Sequence, residues 1–455
     1  MKAEAPFTPG RATIGGAPEG FDATVLAGLA ERGSAPVLHV ARDATRLEGM
    51  RAALAFFAPQ LPVMAFPAWD CLPYDRISPA AEISAARMSV LATLADKPRG
   101  PMVVLTTLAA ATQRVPARAT IHDARFSARV GEQIDVDALR NFLVRMGFAQ
   151  SPTVTEPGDF AVRGGLIDIF PPGVPQPLRL DLFGDVLDGI RRFDPGTQRS
   201  GTTEKRIDLA PASEVILDAE AIQRFRQTYR ASFGAAGSDD PLYEAVSAGR
   251  KHQGMEHWAP FFHDRMETLF DYLPGAPVVL DDNLEAAREA RWTSIEDQYQ
   301  NRAEALKSRD RMETVYKPVP PDLFYLDGDA WDAALDDHAV RQLSVLPQPT
   351  GLGVTDAGGR VGRNFAPERQ REEVSLFGAL AEHIRERRGE SHVILATYSE
   401  GARERMGTLL EDADLTGAQV LEDFRKLPEG KGGLFLAVLG IESGFTTPGL
   451  TVITE

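Results

Sequence analysis

Short apolar runs alternating with helical stretches constrain the first 124 residues more than any other feature of this chain. Pro36-Val37-Leu38-His39-Val40-Ala41, Val63-Met64-Ala65-Phe66 and Met102-Val103-Val104-Leu105-Thr106 suit strands buried on both faces of a parallel sheet. Asp22–Arg32 and Ser84–Ala95 between them read as helices. Strand–helix alternation of this kind predicts a parallel, doubly wound α/β sheet over residues 1–124.

The pattern changes over residues 125–213. A helix is expected from Asp135 to Met146, with Asp135 as N-cap and Gly147 as the stop. Leu139, Phe142, Leu143 and Met146 recur at helical spacing and form one apolar face. Three strands should follow: Phe160–Arg163 running on to Phe170, then Leu178–Phe183, then Val186–Phe193. Gly184-Asp185 between the last two is a two-residue hairpin signal. This stretch reads as a small α+β domain inserted into the sheet domain.

Residues 214–348 return to helices around one strand, Pro277-Val278-Val279-Leu280, followed by a long charged helix over 282–307. Residues 349–364 read as a linker, since Gly351–Asn364 holds five glycines and almost no apolar periodicity. Residues 365–455 read as a separate small α/β domain: helix 367–387, strand Val393-Ile394-Leu395-Ala396, helix 400–412, strand Leu434–Leu439 and a terminal strand. An ending inside an apolar strand is expected of a segment of something longer.

Composition narrows the classes. A net charge of −16 argues against a generally basic nucleic-acid coat, so any DNA contact needs a local patch. Cys71 is the one cysteine, which excludes an internal disulfide and fits a reducing cytoplasm. The first six residues lack an apolar signal core, and no stretch approaches the ~20 apolar residues of a membrane helix.

Four motifs bear on chemistry. After the candidate strand Ala12-Thr13-Ile14, Gly15 and Gly20 have the spacing of a phosphate-binding loop, which wraps phosphates in backbone N–H groups and adds a lysine and a Mg²⁺-binding hydroxyl. Here Phe21 stands at the lysine position and Asp22 at the hydroxyl position, and Glu19 and Asp22 would repel phosphate. The alternative is a plain glycine turn with Asp22 as helix N-cap. Second, Val278-Val279-Leu280-Asp281-Asp282 has the shape of an acidic Mg²⁺ strand end, or of a strand entering a helix through an aspartate cap. Third, alternation along Leu178–Phe183 sends Leu178, Leu180 and Leu182 to the core and Arg179, Asp181 and Phe183 outward. An exposed aromatic beside Arg179, with Arg163 on the neighbouring run, has the make-up of a protein-binding hot spot; the alternative is that another domain covers Phe183. Fourth, His252, Glu256, His257, His263 and Asp264 lack zinc spacing, and Cys71 has neither a glycine elbow nor a local histidine, so neither a metal site nor a catalytic thiol is expected.

The run from Phe66 to Pro79 (FPAWDCLPYDRISP) resembles the N-terminal region of bacterial transcription-repair coupling factors, the Mfd family. So do Gly158–Pro171 (GDFAVRGGLIDIFP), Leu178–Phe183, Gly254–Trp258 and Gly440–Phe445. The resemblance covers essentially the whole chain. It implies a degenerate P-loop-type domain similar to that of UvrB, interrupted by an inserted α+β domain that binds UvrA, then a separate small α/β domain. The residues here that match the family's contact positions are Arg163, Arg179 and Phe183. Gly15, Gly20, Phe21 and Asp22 mark a loop not expected to bind ATP, and no catalytic residue, metal or cofactor is expected. The full-length family member is an ATP-dependent DNA translocase that displaces stalled RNA polymerase. UvrA is thus the implied partner of this segment, with damaged or upstream DNA and RNA polymerase engaged through the longer protein. A monomer is expected.

Overall fold

Apolar runs without a polar face need cover on both sides, and the central sheet supplies it. The structure, a computed structural model, describes residues 9–234, 240–307, 316–349, 351–369 and 375–455. Among them, seven parallel strands run in the order Val354–Asp356, Gly10–Gly15, Ala339–Leu343, Val278–Leu280, Val37–Ala41, Val103–Thr107, Val63–Phe66. Every residue of Val37–Ala41 and Val103–Thr107 is buried. Helices Phe21–Arg32 and Ala44–Phe57 pack on one face, and Ala81–Ala95 and Gly328–Leu335 on the other.

The chain re-enters this domain at Glu214, where a buried ion pair fixes it. Arg87 reaches the Glu214 carboxylate with Nε at 2.6 Å and Nη2 at 3.1 Å, and Trp69 Nε1 donates to the same group at 3.0 Å. The guanidinium lies 4.2 Å from the Phe66 ring centroid and donates to the Pro67 carbonyl at 2.9 Å. Both charges are withdrawn from water, so each depends on the other.

The inserted stretch forms its own sheet, in the order Ser200–Glu204, Val186–Phe193, Leu178–Phe183, Leu166–Ile169, Asp159–Arg163, Ala149–Gln150, antiparallel except for the last pair. Helix Val136–Arg145 covers one face, with Leu139 and Leu143 fully buried against Phe160, Ile167, Leu180 and Ile190. Asp135 caps it by accepting from Ala138 N at 2.9 Å, and Gly147 (φ 89°) stops it. The strand expected to run from Phe160 to Phe170 is instead broken. Gly164 and Gly165 turn the chain, and Asp159–Arg163 and Leu166–Ile169 form a hairpin. Gly164 has φ 59°, a conformation that favours glycine.

Two further expectations change. The glycine-rich stretch read as a linker carries two short strands. Val354–Asp356 pairs with Thr13–Gly15 at the edge of the large sheet, and Arg360–Val361 pairs with Phe445–Thr446 in the C-terminal sheet. That second sheet runs Arg360–Val361, Phe445–Thr447, Leu450–Thr454, His392–Thr397, Leu434–Val438, Ala418–Val420. Helix Glu400–Asp412 falls where expected, whereas the helix expected over 367–387 is described as Ala366–Arg369 and Leu376–Arg388, with 370–374 outside the described residues. The C-terminal unit is not separate either. Its Ile394, Phe435, Ile441 and Phe445 share one apolar core with Leu26, Leu54 and Phe57 of the first domain. The glycine-rich composition hid this, because short backbone-paired strands need no apolar periodicity.

Arg87→Ala should destabilise the protein by about 3–5 kcal/mol, since Glu214 would stay buried without its partner. Chemical unfolding followed by tryptophan fluorescence would read this as a lower midpoint.

Candidate functional site

The tips of two adjacent hairpins form one end of the inserted sheet. Arg163-Gly164-Gly165-Leu166 makes the first and Phe183-Gly184-Asp185-Val186 the second. Leu178 and Leu180 are buried and Leu182 is half-buried, so Phe183 is forced to the opposite face, where it is 83% exposed. No other domain covers the ring among the described residues. Arg163 is on the same face, exposed, and donates to the Pro152 carbonyl. The two residues that the sequence placed together do share this surface.

The guanidinium of Arg179, on the same face, is engaged within the domain. Its Nε lies 2.7 Å and its Nη2 2.9 Å from the two oxygens of Asp168, its cross-strand partner. Asp168 is 3% exposed. The carbon of the guanidinium sits 4.6 Å from the Phe193 ring centroid, and Nη1 faces Gln198 O and Ser200 Oγ at 3.3 Å. The Asp168 carboxylate holds the Arg179 charge more firmly than usual. Asp181 is likewise bonded to Arg191. Alternation predicts the face correctly but cannot foresee a carboxylate directly across the strand. Leu166 is 38% exposed on the same face, which a continuous strand through Gly164-Gly165 does not predict.

The loop at Gly15–Asp22 joins a strand to a helix, as a phosphate cradle does, but its N–H groups at 16, 17 and 20 are used within the protein. Gly16 N donates to Leu346 O and Ala17 N to Ser344 O, each at 3.0 Å. Gly20 N donates to Asp22 Oδ1 at 3.0 Å. The anion at this helix start is therefore the chain's own carboxylate. Asp22 is not the N-cap: Gly20 occupies that place, and Asp22 sits in the first turn, buried. Gly16 (φ 63°) serves packing, since a Cβ there would meet Asp356. Phe21 turns to the C-terminal unit, its ring centroid 5.6 Å from that of Phe445.

Charges close the rest of the cleft. Arg46 pairs with Asp22 and reaches Asp281 Oδ1 at 3.2 Å. Arg42 reaches Glu19 at 2.7 Å and Asp281 at 3.3 Å. Asp281 thus anchors two arginines at its strand end. Three carboxylates face two guanidiniums here, and burial, with Glu19 and Asp281 adding to it and Arg46 opposing, pushes Asp22 up to about 7. Beside them, burial lowers His39 to about 4, and neither of its ring nitrogens has a hydrogen-bond partner.

The histidine group does not converge. His263 Nε2 faces Glu214 O at 2.7 Å, Glu256 accepts from Ser78 at 2.7 Å, and His252 stays beside Gln253 O. The described residues hold no group of three metal-capable side chains. The fold does bring a histidine to Cys71, with His257 Nε2 3.9 Å from Sγ, which the sequence order did not reveal. It does not activate the thiol. Burial, helped by Asp70, Asp75 and Glu256, pushes Cys71 up to about 12, while burial lowers His257 to about 4.

Comparison with known proteins bears on the same surface. Residues 126–215 match the family described as the UvrB interaction domain. The transcription-repair-coupling factor of Escherichia coli (strain K12) is 30% identical over 439 residues, covering 95% of this chain and 36% of that protein. That of Haemophilus influenzae is 28% identical over 95% of this chain and 36% of its own length. The Myxococcus xanthus protein is 36% identical over 60% of this chain and 24% of its own length. Over 95% of its length the chain is similar to transcription-repair-coupling factors. It spans about a third of the length of the first two of these relatives. Within this chain, the matched domain contains both hairpin tips and the Asp168–Arg179 pair. No helix of the described residues is long and apolar enough to cross a membrane.

The raised Asp22 has a pH signature. A carboxyl raised in the folded state contributes stability that is complete below its ordinary value near 4 and lost as pH rises through about 7. Thermal unfolding between pH 5 and 8 should therefore show stability falling with pH in the wild type relative to Asp22→Asn. Parallel curves for the two proteins would contradict the assignment.

Proposed function

We propose that this segment is a recruitment module whose inserted domain binds UvrA through its hairpin tips, with no catalytic step of its own. Phe183 is the anchor that partner desolvates, and Arg163 supplies a charge-assisted hydrogen bond to an acidic group on it. Arg179 is the third contact residue, presenting the edge of a guanidinium that Asp168 already holds in place. The observation that carries the reading is the 83% exposure of Phe183 in a domain matching the UvrB interaction family. An exposed phenylalanine beside an arginine, on a strand whose other side is core, gains most by being buried in a partner.

The first sheet, in this reading, is a degenerate, UvrB-like phosphate-binding domain over 1–124 and 214–348. Its loop lacks the lysine, its N–H groups at 16, 17 and 20 are taken, and the carboxylates around it outnumber the guanidiniums. It recruits no nucleotide and needs no cofactor. In the longer chains of the family, ATP-dependent DNA translocation and contact with DNA and RNA polymerase belong to the remaining length, and this segment brings excision repair to that motor.

Titration calorimetry of this chain with purified UvrA tests the surface. Phe183→Ala should weaken binding by about 2 kcal/mol or more, roughly 30-fold. Its melting temperature should not move, because the ring is exposed. Undiminished affinity would remove the proposed site. Phe21→Lys should not confer measurable ATP binding, since returning one cation leaves the donors at 16, 17 and 20 occupied; a saturable ATP titration by that variant would contradict the account of the loop.

A further inference from the structure

Of the large apolar side chains on the strands of the inserted sheet, Leu166 and Phe183 are the exposed ones. Their neighbours on the same strands go inward: Ile167 and Ile169 are 1% and 0% exposed, Leu180 0%. Leu166 lies opposite Arg163 on one side and opposite Asp181 on the other. Phe183 is two residues beyond Asp181 on the same face, which makes it a diagonal neighbour of Leu166, a separation of roughly 7–8 Å within reach of an aromatic ring. Nothing stands over the pair from the turns. Gly164 and Gly184 face open space, and Gly165 brings its turn so close to the next strand that a Cβ there would lie 2.9 Å from Leu182 O.

We infer that Leu166 and Phe183 form one apolar contact, which enters a single apolar pocket of the partner with a carboxylate placed opposite Arg163. The inference rests on the reading of this domain as the UvrA-recruiting surface and adds a residue and a pocket chemistry to it. The occupant is that same partner, because Leu166 is continuous with Phe183 on the face where the partner would sit. A leucine left 38% exposed beside the exposed Phe183 leaves apolar area that a closing partner removes from water, and two adjoining apolar groups are desolvated together more completely than either alone.

The test is a double-mutant cycle on this chain with purified UvrA, using Leu166→Ser, Phe183→Ala and the double variant, with Val144→Ser as an exposed control on the helix of the same domain. Leu166→Ser should weaken binding about fivefold or more with an unchanged melting temperature, and Val144→Ser should not. The double variant should lose less than the product of the two single losses, because one pocket has already been vacated. If Phe183→Ala weakens binding and Leu166→Ser does not, the shared contact is wrong while the recruiting surface stands. Losses that multiply would also overturn the single pocket. If neither variant changes affinity, the recruiting surface itself is wrong.

Discussion

The burial of Leu178 and Leu180 is the constraint on which the proposed binding surface depends. Side chains alternate along a strand, so a one-residue slip would expose both leucines in order to bury Phe183. Fully burying a large apolar side chain contributes about 1.5–3 kcal/mol, so the slip exchanges two such gains for one. The Asp168–Arg179 pair reinforces the same register, since it forms only when residues 168 and 179 stand opposite each other. An exposed phenylalanine is thus a consequence of core packing.

The loop at Gly15–Asp22 follows the opposite logic. Phosphate cradles keep N–H groups unpaired for a ligand. Here the donors bond to Leu346, Ser344 and Asp22, and the side chain at the lysine position packs on Phe445. Buried polar groups left unpaired are expensive, so a loop without a ligand is stable only when the protein fills it. The same contacts bind the C-terminal unit to the first sheet through Phe57, Phe424 and Phe445. The loop lies at the junction of the two units.

Much of this was legible in the residues. Helix Val136–Arg145 follows from Asp135, Gly147 and the spacing of Leu139 and Leu143; the outward direction of Phe183 follows from a period of two. What stayed hidden depends on partners distant in sequence. Nothing local to Arg179 announces Asp168, and nothing near Cys71 announces His257. Gly164-Gly165 lies inside an apolar run, which hides the turn there and with it the outward direction of Leu166. The strands at Val354–Asp356 and Arg360–Val361 escaped notice because backbone pairing alone holds them, without an apolar stripe to mark it.

Hydrogen exchange of the chain with and without UvrA tests the central claim most directly. Amides at both hairpin tips, residues 163–166 and 183–186, should slow on adding UvrA. Those of the loop at residues 15–22 should be unchanged, by UvrA or by ATP. Protection that appears elsewhere and spares both tips, or slowing of the loop by ATP, would contradict this account.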